Sequence, residues 1–318
     1  MHPRRFGSHQ SHRFVERRKN RVAVIVGLIL ITLSSWLFAI PRLSDLSVLS
    51  INSFEISGVD ADIASNIRAA AYQAIDGRYL GIISKANTFL YPRERIISAV
   101  SSTSPEIESV GVKYIGGQSL AIDIVERQPA AIICVGLPNV SGTALSYQDD
   151  TCYFADATGY IFKLAPSFSG DVYNRYYAPD LIPDVIPNAS AIGLYATTSA
   201  EFIQLQNVYN EARRAGIVLH ALMIKKGGEY ELYAQNPTIH KLVSNSTSNY
   251  SDVSDNASTS DSDIVVIYMN NVRPLNDELN NLITFWLAMS DRSRVKQPVL
   301  FEYINVRSGS NVFYRLAN

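Results

Sequence analysis

The feature that most limits what this chain can become is a run of 19 residues without a charge, VAVIVGLILITLSSWLFAI, at positions 22–40. Coiled into a helix it is roughly 28 Å long, close to the hydrocarbon thickness of a bilayer. A buried helix of a water-soluble domain is rarely apolar on every face for about five turns, as this run is. A cleaved secretion signal is the sharper competitor. Against it, the run is longer than the roughly 7–15-residue apolar core of such signals, and no small-x-small site precedes Pro41. Trp36 and Phe38, near the far end, are ring types that suit a membrane–water interface. The run reads as a transmembrane helix.

Charge sets its orientation. Residues 1–21 hold seven of the 28 Lys/Arg (Arg4, Arg5, Arg13, Arg17, Arg18, Lys19 and Arg21) and one acid, Glu16. Only Arg42 lies close by on the other side. The positive-inside bias therefore puts a basic tail, 1–21, in the cytoplasm and residues 41–318 outside, on a cell membrane crossed once. The near-neutral net charge of −1 conceals this segregation, because the chain after residue 21 carries 21 basic and 28 acidic residues. A basic tail can bind nucleic acid, but one that runs straight into an anchor is accounted for by topology. No nucleic-acid partner is expected.

Beyond the anchor, residues 48–57 (VLSINSFEIS) alternate like a strand and stop at Gly58. Asp60 or Asp62 can cap a helix to about Ile75, with Ile63, Ile67, Ala70, Ala71 and Ala74 on one face. Pro92 can open a second helix through Ile96, Ile97 and Val100. Strands over 107–114 and 119–125 follow, separated by Gly116-Gly117, a hairpin signal. The order strand, helix, helix, strand, strand predicts an α+β module that packs two helices on one face of a three-stranded sheet.

Downstream, 130–135 and 151–155 read as strands, and Asp156–Phe162 as a turn feeding another. Residues 165–190 are rich in Pro and polar groups and read as irregular. Thr198 or Ser199 caps a helix to Ala215, and Gly216 ends it. A hairpin over 218–225 and 229–234 turns at Gly227-Gly228. Pro274 opens a last helix with Leu275, Leu279, Leu282, Ile283 and Trp286 on one face, and strands over 299–306 and 311–316 close the chain. This is a second α+β domain with a largely antiparallel sheet. It is interrupted at 244–263 by SNSTSNYSDVSDNASTSDSD, which holds eight Ser and four Asp and reads as a disordered insertion.

Catalytic signatures are missing from the sequence. It contains no HExxH, no GxSxG and no phosphate-binding glycine loop. Of five His, only His220 and His240 lie outside the tail, and neither neighbours a cysteine. Asp149-Asp150 precedes a strand and reads as a solvated loop pair. No enzymatic activity, cofactor, metal or small-molecule substrate is expected. The two cysteines, Cys134 and Cys152, are too few for a four-ligand zinc site. In an oxidising compartment they are candidates for one disulfide, the alternative being two unpaired core thiols.

Several short segments, in order, resemble the FtsQ/DivIB family of bacterial division proteins. Phe54-Glu55-Ile56-Ser57-Gly58 is similar to the opening strand and glycine of that family's POTRA domain. Glu126-Arg127-Gln128-Pro129-Ala130 resembles its ERxPxA signature, and Ser104-Pro105-Glu106-Ile107-Glu108-Ser109-Val110 the start of its second strand. Tyr153-Phe154-Ala155-Asp156 with Gly159 and Phe162 resembles its Y–x–x–D–x–x–G–x–x–F segment. Tyr303-Ile304-Asn305-Val306-Arg307 and Asn311-Val312-Phe313-Tyr314 are similar to its closing pair of strands, with Asn305 where the family often has Asp.

The resemblance implies a POTRA-type βααββ module over 48–128 and a C-terminal β-rich domain over 129–318. It implies a non-enzymatic scaffold that links membrane-anchored division proteins during septal wall synthesis, accepting a strand from a small coiled-coil partner near its closing strands. The candidate partner-binding residues are Tyr303, Arg307, Val312, Phe313 and Tyr314, with Trp286 on the adjoining helix as an anchor or as core. Three rival classes remain, one of them a receptor signalling through its cytoplasmic tail, for which residues 1–21 show no domain pattern. A POTRA-bearing transport or assembly protein would call for a C-terminal β-barrel, and an anchored extracytoplasmic enzyme for catalytic residues that the sequence does not offer.

Overall fold

A computed structural model describes residues 21–32, 34–35, 46–141, 144–146, 151–166, 172–182, 190–237, 264–292 and 300–317. The tail 1–20, residues 33 and 36–40 of the expected span, and the insertion 244–263 lie outside the described residues. Residues 21–32 form helix α1. Among the described residues no helix is long and apolar enough to cross a membrane. The architecture is mixed α and β, and the chain divides into two compact units between Glu126 and Arg127.

The first unit runs β1 (Ser53–Ser57), α2 (Ala61–Ile75), a small hairpin of β2 (Arg78–Tyr79) and β3 (Ile83–Ser84), α3 (Arg93–Ser101), β4 (Ile107–Gly116) and β5 (Ser119–Glu126). The strand expected from residue 48 begins later, because Ser47–Leu49 wind into a single 3₁₀ turn. β5 lies in the middle of the sheet, parallel to β1 and antiparallel to β4. Its alternation decides the packing: Leu120, Ile122 and Ile124 are buried with Ile67 and Ala71 of α2 and Ile96 and Val100 of α3. Ala121 and Asp123, on the other face, are only half-buried, and Val125 is exposed. Each fully buried Ile or Leu contributes about 1.5–3 kcal/mol, so this one-sided layer holds the unit together. Gly58, where the chain leaves β1, has φ +86°, and a Cβ there would lie 2.0 Å from the Ile124 carbonyl oxygen.

The second unit is built on a single nine-stranded sheet. Its strands are β6 (Ala131–Val135), β9 (Thr151–Ala155), β10 (Ile161–Leu164), β11 (Asn174–Tyr177), β12 (Leu219–Lys225), β13 (Glu229–Gln235), β14 (Ile264–Asn270), β15 (Phe301–Ser308) and β16 (Asn311–Leu316). A separate small hairpin joins β7 (Asn139–Ser141) to β8 (Ala144–Ser146). The large sheet reads β10-β9-β6-β11-β12-β13-β14-β15-β16 and is mostly antiparallel, with parallel pairing at β6–β11, β11–β12 and β14–β15.

Two of these strands correct the sequence reading. β11 lies inside 165–190, which was expected to be irregular; it fills the slot between β6 and β12, where Arg175, Tyr176 and Tyr177 are buried. β14 follows the Ser/Asp-rich insertion and joins the β12–β13 hairpin to the closing strands. Helices α4 (Ser199–Arg214) and α5 (Leu275–Arg292) share a core with one face of the sheet. Thr198 caps α4 by accepting the Glu201 N–H, and Phe202, Leu205, Val208, Tyr209 and Ala212 fall on its buried stripe.

Near the start of this unit, Arg127 forms an ion pair with Asp156, and its guanidinium stacks 4.4 Å over the Tyr160 ring. Asp156 also accepts bonds from the Thr158 N–H at 2.8 Å and the Tyr160 N–H at 3.1 Å, which closes the turn into β10. Burial alone would raise this carboxyl, but the hydrogen bonds from Thr158 and Arg127 outweigh it and hold it below the usual carboxylate range. Gly159, in the same turn, has φ +82°, and a Cβ there would lie 2.7 Å from the Phe202 ring.

Two outcomes follow. Gly58→Ala and Gly159→Ala should each destabilise the protein by about 2 kcal/mol or more, from left-handed strain plus overlap, as measured by urea unfolding. An unchanged midpoint would remove the steric account of both glycines. Because the Asp156 carboxyl is depressed in the folded state, its contribution is full above the unfolded value of about 4 and fades as pH falls through the folded one. Asp156→Asn should therefore cost about 2–3 kcal/mol at neutral pH and flatten the acid limb of the stability profile, whereas parallel acid limbs would contradict the assignment.

Candidate functional site

An open sheet has two edges, and here they are treated differently. At the β10 edge, Ile161 donates to the Leu194 carbonyl at 2.9 Å and accepts the Gly193 N–H at 2.8 Å, so a passing loop bonds the first residue of that border. At the other edge, β16 pairs only inward, antiparallel to β15, and among the described residues no strand lies beyond it. The register sets Asn305 opposite Phe313, Ile304 opposite Tyr314 and Tyr303 opposite Arg315. Phe313 is 54% exposed, and Tyr314, Arg315 and Leu316 are also exposed. Unpaired backbone groups beside aromatic side chains are the combination that accepts another strand.

Alternation divides the expected residues between two faces of this border. On the helix side, Tyr314 meets Phe285 of α5 at 5.4 Å and Phe301 at 5.5 Å, and Val312 packs against the core. On the opposite side, Tyr303 contacts Tyr268 edge-to-face at 5.9 Å. The Arg307 guanidinium lies 5.3 Å from the centre of the Tyr268 ring and 3.4 Å from Glu229. Burial, and then the Glu231 carboxylate, push the Tyr268 hydroxyl above its ordinary range. Arg315 pairs with Glu302 at 3.0 Å along the border.

Trp286 does not join them. It is 4% exposed and sits in the core with Leu279 and Leu282, because the apolar stripe of α5 faces the sheet and takes the indole with it. The structure adds three members that the sequence reading passed over: Tyr268, Phe285 and the exposed Leu316. Leu316 was legible in its two-residue spacing from Tyr314, whereas IVVIYMN has no polar alternation to single out Tyr268.

Cys134 and Cys152 stand directly opposite each other in the β6–β9 pair and are disulfide-bonded. Both are buried, and Arg175 reaches their sulfurs at 3.4 and 3.5 Å. The bond is a staple across two strands, far along the sheet order from β16. Among the described residues no group of three or more His, Cys, Asp or Glu could hold a metal. No protein-family model matches the chain, and no curated protein matches it.

Alkylation without reductant should leave both cysteines unmodified, as mass measurement reads. Replacing both by Ala should destabilise the protein by about 3 kcal/mol, the cost of releasing a loop with a sequence separation of 18. Two blocked thiols in the unreduced protein would exclude the bond.

Proposed function

We propose that this chain is a non-enzymatic, membrane-anchored scaffold that captures partner proteins by adding a strand to β16. The observation that carries the proposal is the open β16 border with its exposed aromatic residues, set against a β10 border where a loop already bonds Ile161. Main-chain bonds would supply affinity. Specificity would come from Phe313, Tyr303 and Arg307 on one face and Val312 and Tyr314 on the other. Residues 22–40 span the membrane in this reading, with the tail cytoplasmic and both units outside.

The resemblance to FtsQ/DivIB proteins directs the reading to bacterial division, with other membrane-anchored division proteins as partners. Supporting it are the βααββ order of the first unit and its two helices on one face of a three-stranded sheet, as a POTRA-type module requires. The meeting of the two resembling segments in the Arg127–Asp156 pair supports it too.

Protease added to spheroplasts should digest the part after residue 41 and spare the tail. Protection of the large part would overturn the topology and the scaffold with it. Phe313→Pro and Phe313→Lys should each cut co-purification of cross-linked membrane partners from dividing cells by about tenfold. Thermal melting of the same variants separates lost binding from lost folding. Full capture by well-folded variants would place the binding site elsewhere.

A further inference from the structure

The excursion between α2 and α3 has no task in the binding border, and it carries the two most exposed large apolar side chains among the described residues of the first unit. Over residues 76–91 the chain leaves α2, turns through the β2–β3 hairpin and returns to α3. The hairpin tip is Leu80, 96% exposed and held at φ +49°, a left-handed conformation that turns normally give to Gly or Asn. Ile82 beside it is exposed as well. Further along, Phe89 is 79% exposed and Leu90 half so. A leucine at a strained turn tip and a phenylalanine in the open contribute nothing to the core of the unit.

The same excursion is tied to the segment that follows the apolar run. Ile51 donates to the Ala86 carbonyl at 2.7 Å, Thr88 donates to the Leu49 carbonyl at 2.9 Å, and Ser50 bridges to Asn87. Leu46 and Val48, just upstream, are also exposed, Val48 by 71%. Leu46 lies only six positions beyond Ile40, the last residue of the apolar run. Even fully extended, six residues reach roughly 20 Å, less than the depth of one bilayer. If residues 22–40 span the membrane, the chain itself delivers this apolar excursion to the bilayer surface. Arg78 and Lys85, on the hairpin and beside it, are the residue types that meet lipid phosphates, and Lys85 lies 5.9 Å over the Tyr79 ring, an arrangement suited to an interface.

We propose that the α2–α3 excursion, with Leu80 and Phe89 at its tips and Leu46 and Val48 beside it, docks the first unit onto the membrane by inserting apolar side chains at the headgroup level. The proposal rests on the reading of residues 22–40 as a membrane span. Docking would fix the unit against the bilayer instead of leaving it free on a tether.

The test uses the full chain in vesicles of phosphatidylcholine and phosphatidylglycerol. Its native cysteines are bonded to each other, so an introduced cysteine is the free thiol for an environment-sensitive fluorophore. Labels go at Leu80→Cys and Phe89→Cys, at Thr32→Cys within the apolar run, and at Glu108→Cys on exposed β4 as a water control. All but the one at Thr32 are exposed positions of a folded unit, so folding is not at stake. With spin-labelled lipid, the Leu80 and Phe89 probes should emit to the blue and lose roughly half their intensity, as expected at a depth of about 5–10 Å, while Glu108 is unchanged. A quenched Thr32 probe with Leu80 and Phe89 behaving like Glu108 overturns the docking and leaves the anchor standing. An unquenched Thr32 probe overturns the anchor and the docking together. Blue emission at Leu80 that appears only as the protein-to-lipid ratio rises, without lipid quenching, assigns the surface to a second copy and overturns the lipid proposal.

Discussion

An open sheet forms its hydrogen-bond ladder strand by strand, and the last strand on each side always has a row of backbone donors and acceptors facing outward. In the second unit nearly everything is arranged around that constraint. Helices α4 and α5 cover one face and absorb the large apolar side chains, Trp286 among them. The loop at residues 193–194 bonds Ile161, the first residue of β10. What is left is β16, whose outward backbone groups lie beside the exposed Phe313 and Tyr314.

The two units divide the work of burial differently. In the first, one side of a three-stranded sheet carries the whole core, and its small size leaves little apolar surface to spare, which makes the exposed leucine and phenylalanine of the α2–α3 excursion conspicuous. In the second, a satellite cluster around Ile132, Tyr177, Met223 and Tyr233 backs the face away from the helices, and the disulfide lies within it. Glu278, at the start of α5, is fully buried and accepts the Asn270 N–H, with burial pushing its carboxyl up. A buried acid at a helix start is here a fastening between α5 and β14.

Helices and hairpins were legible in the sequence because their signals are local. Thr198 and Gly227-Gly228 act on the chain within a few residues, and α4 and the β12–β13 turn fall where they direct. β11 was not legible, because Asn-Arg-Tyr-Tyr has no alternation and becomes a strand only where β6 and β12 offer it partners on both sides. β14 escaped for a different reason. Its outward-facing residues Ile264, Val266 and Tyr268 are apolar and half-buried, so the polar beats that mark a surface strand are missing. With β14 unread, Tyr268 could not be placed beside Tyr303 and Arg307, and one face of the candidate site stayed invisible. Trp286 shows the opposite failing, since a stripe of apolar residues says which side of a helix is buried but not whether its largest ring reaches the rim.

The order of strands also has a mechanical side. The chain enters the second unit at Arg127, immediately before β6, whereas a bound strand would attach at β16, six places away along the row. A pull between the membrane and a captured partner would therefore run crosswise through the sheet, loading one ladder after another in series. Such a path is only as strong as its weakest rung. The stapled β6–β9 pair lies where the load arrives but off its path, which leaves β6 through β11, so the staple strengthens none of the rungs that carry it. Under tension the sheet would part first at β11–β12, where the register pairs only Tyr176 with Leu222 and Tyr177 with Met223, while the staple kept β6 and β9 joined.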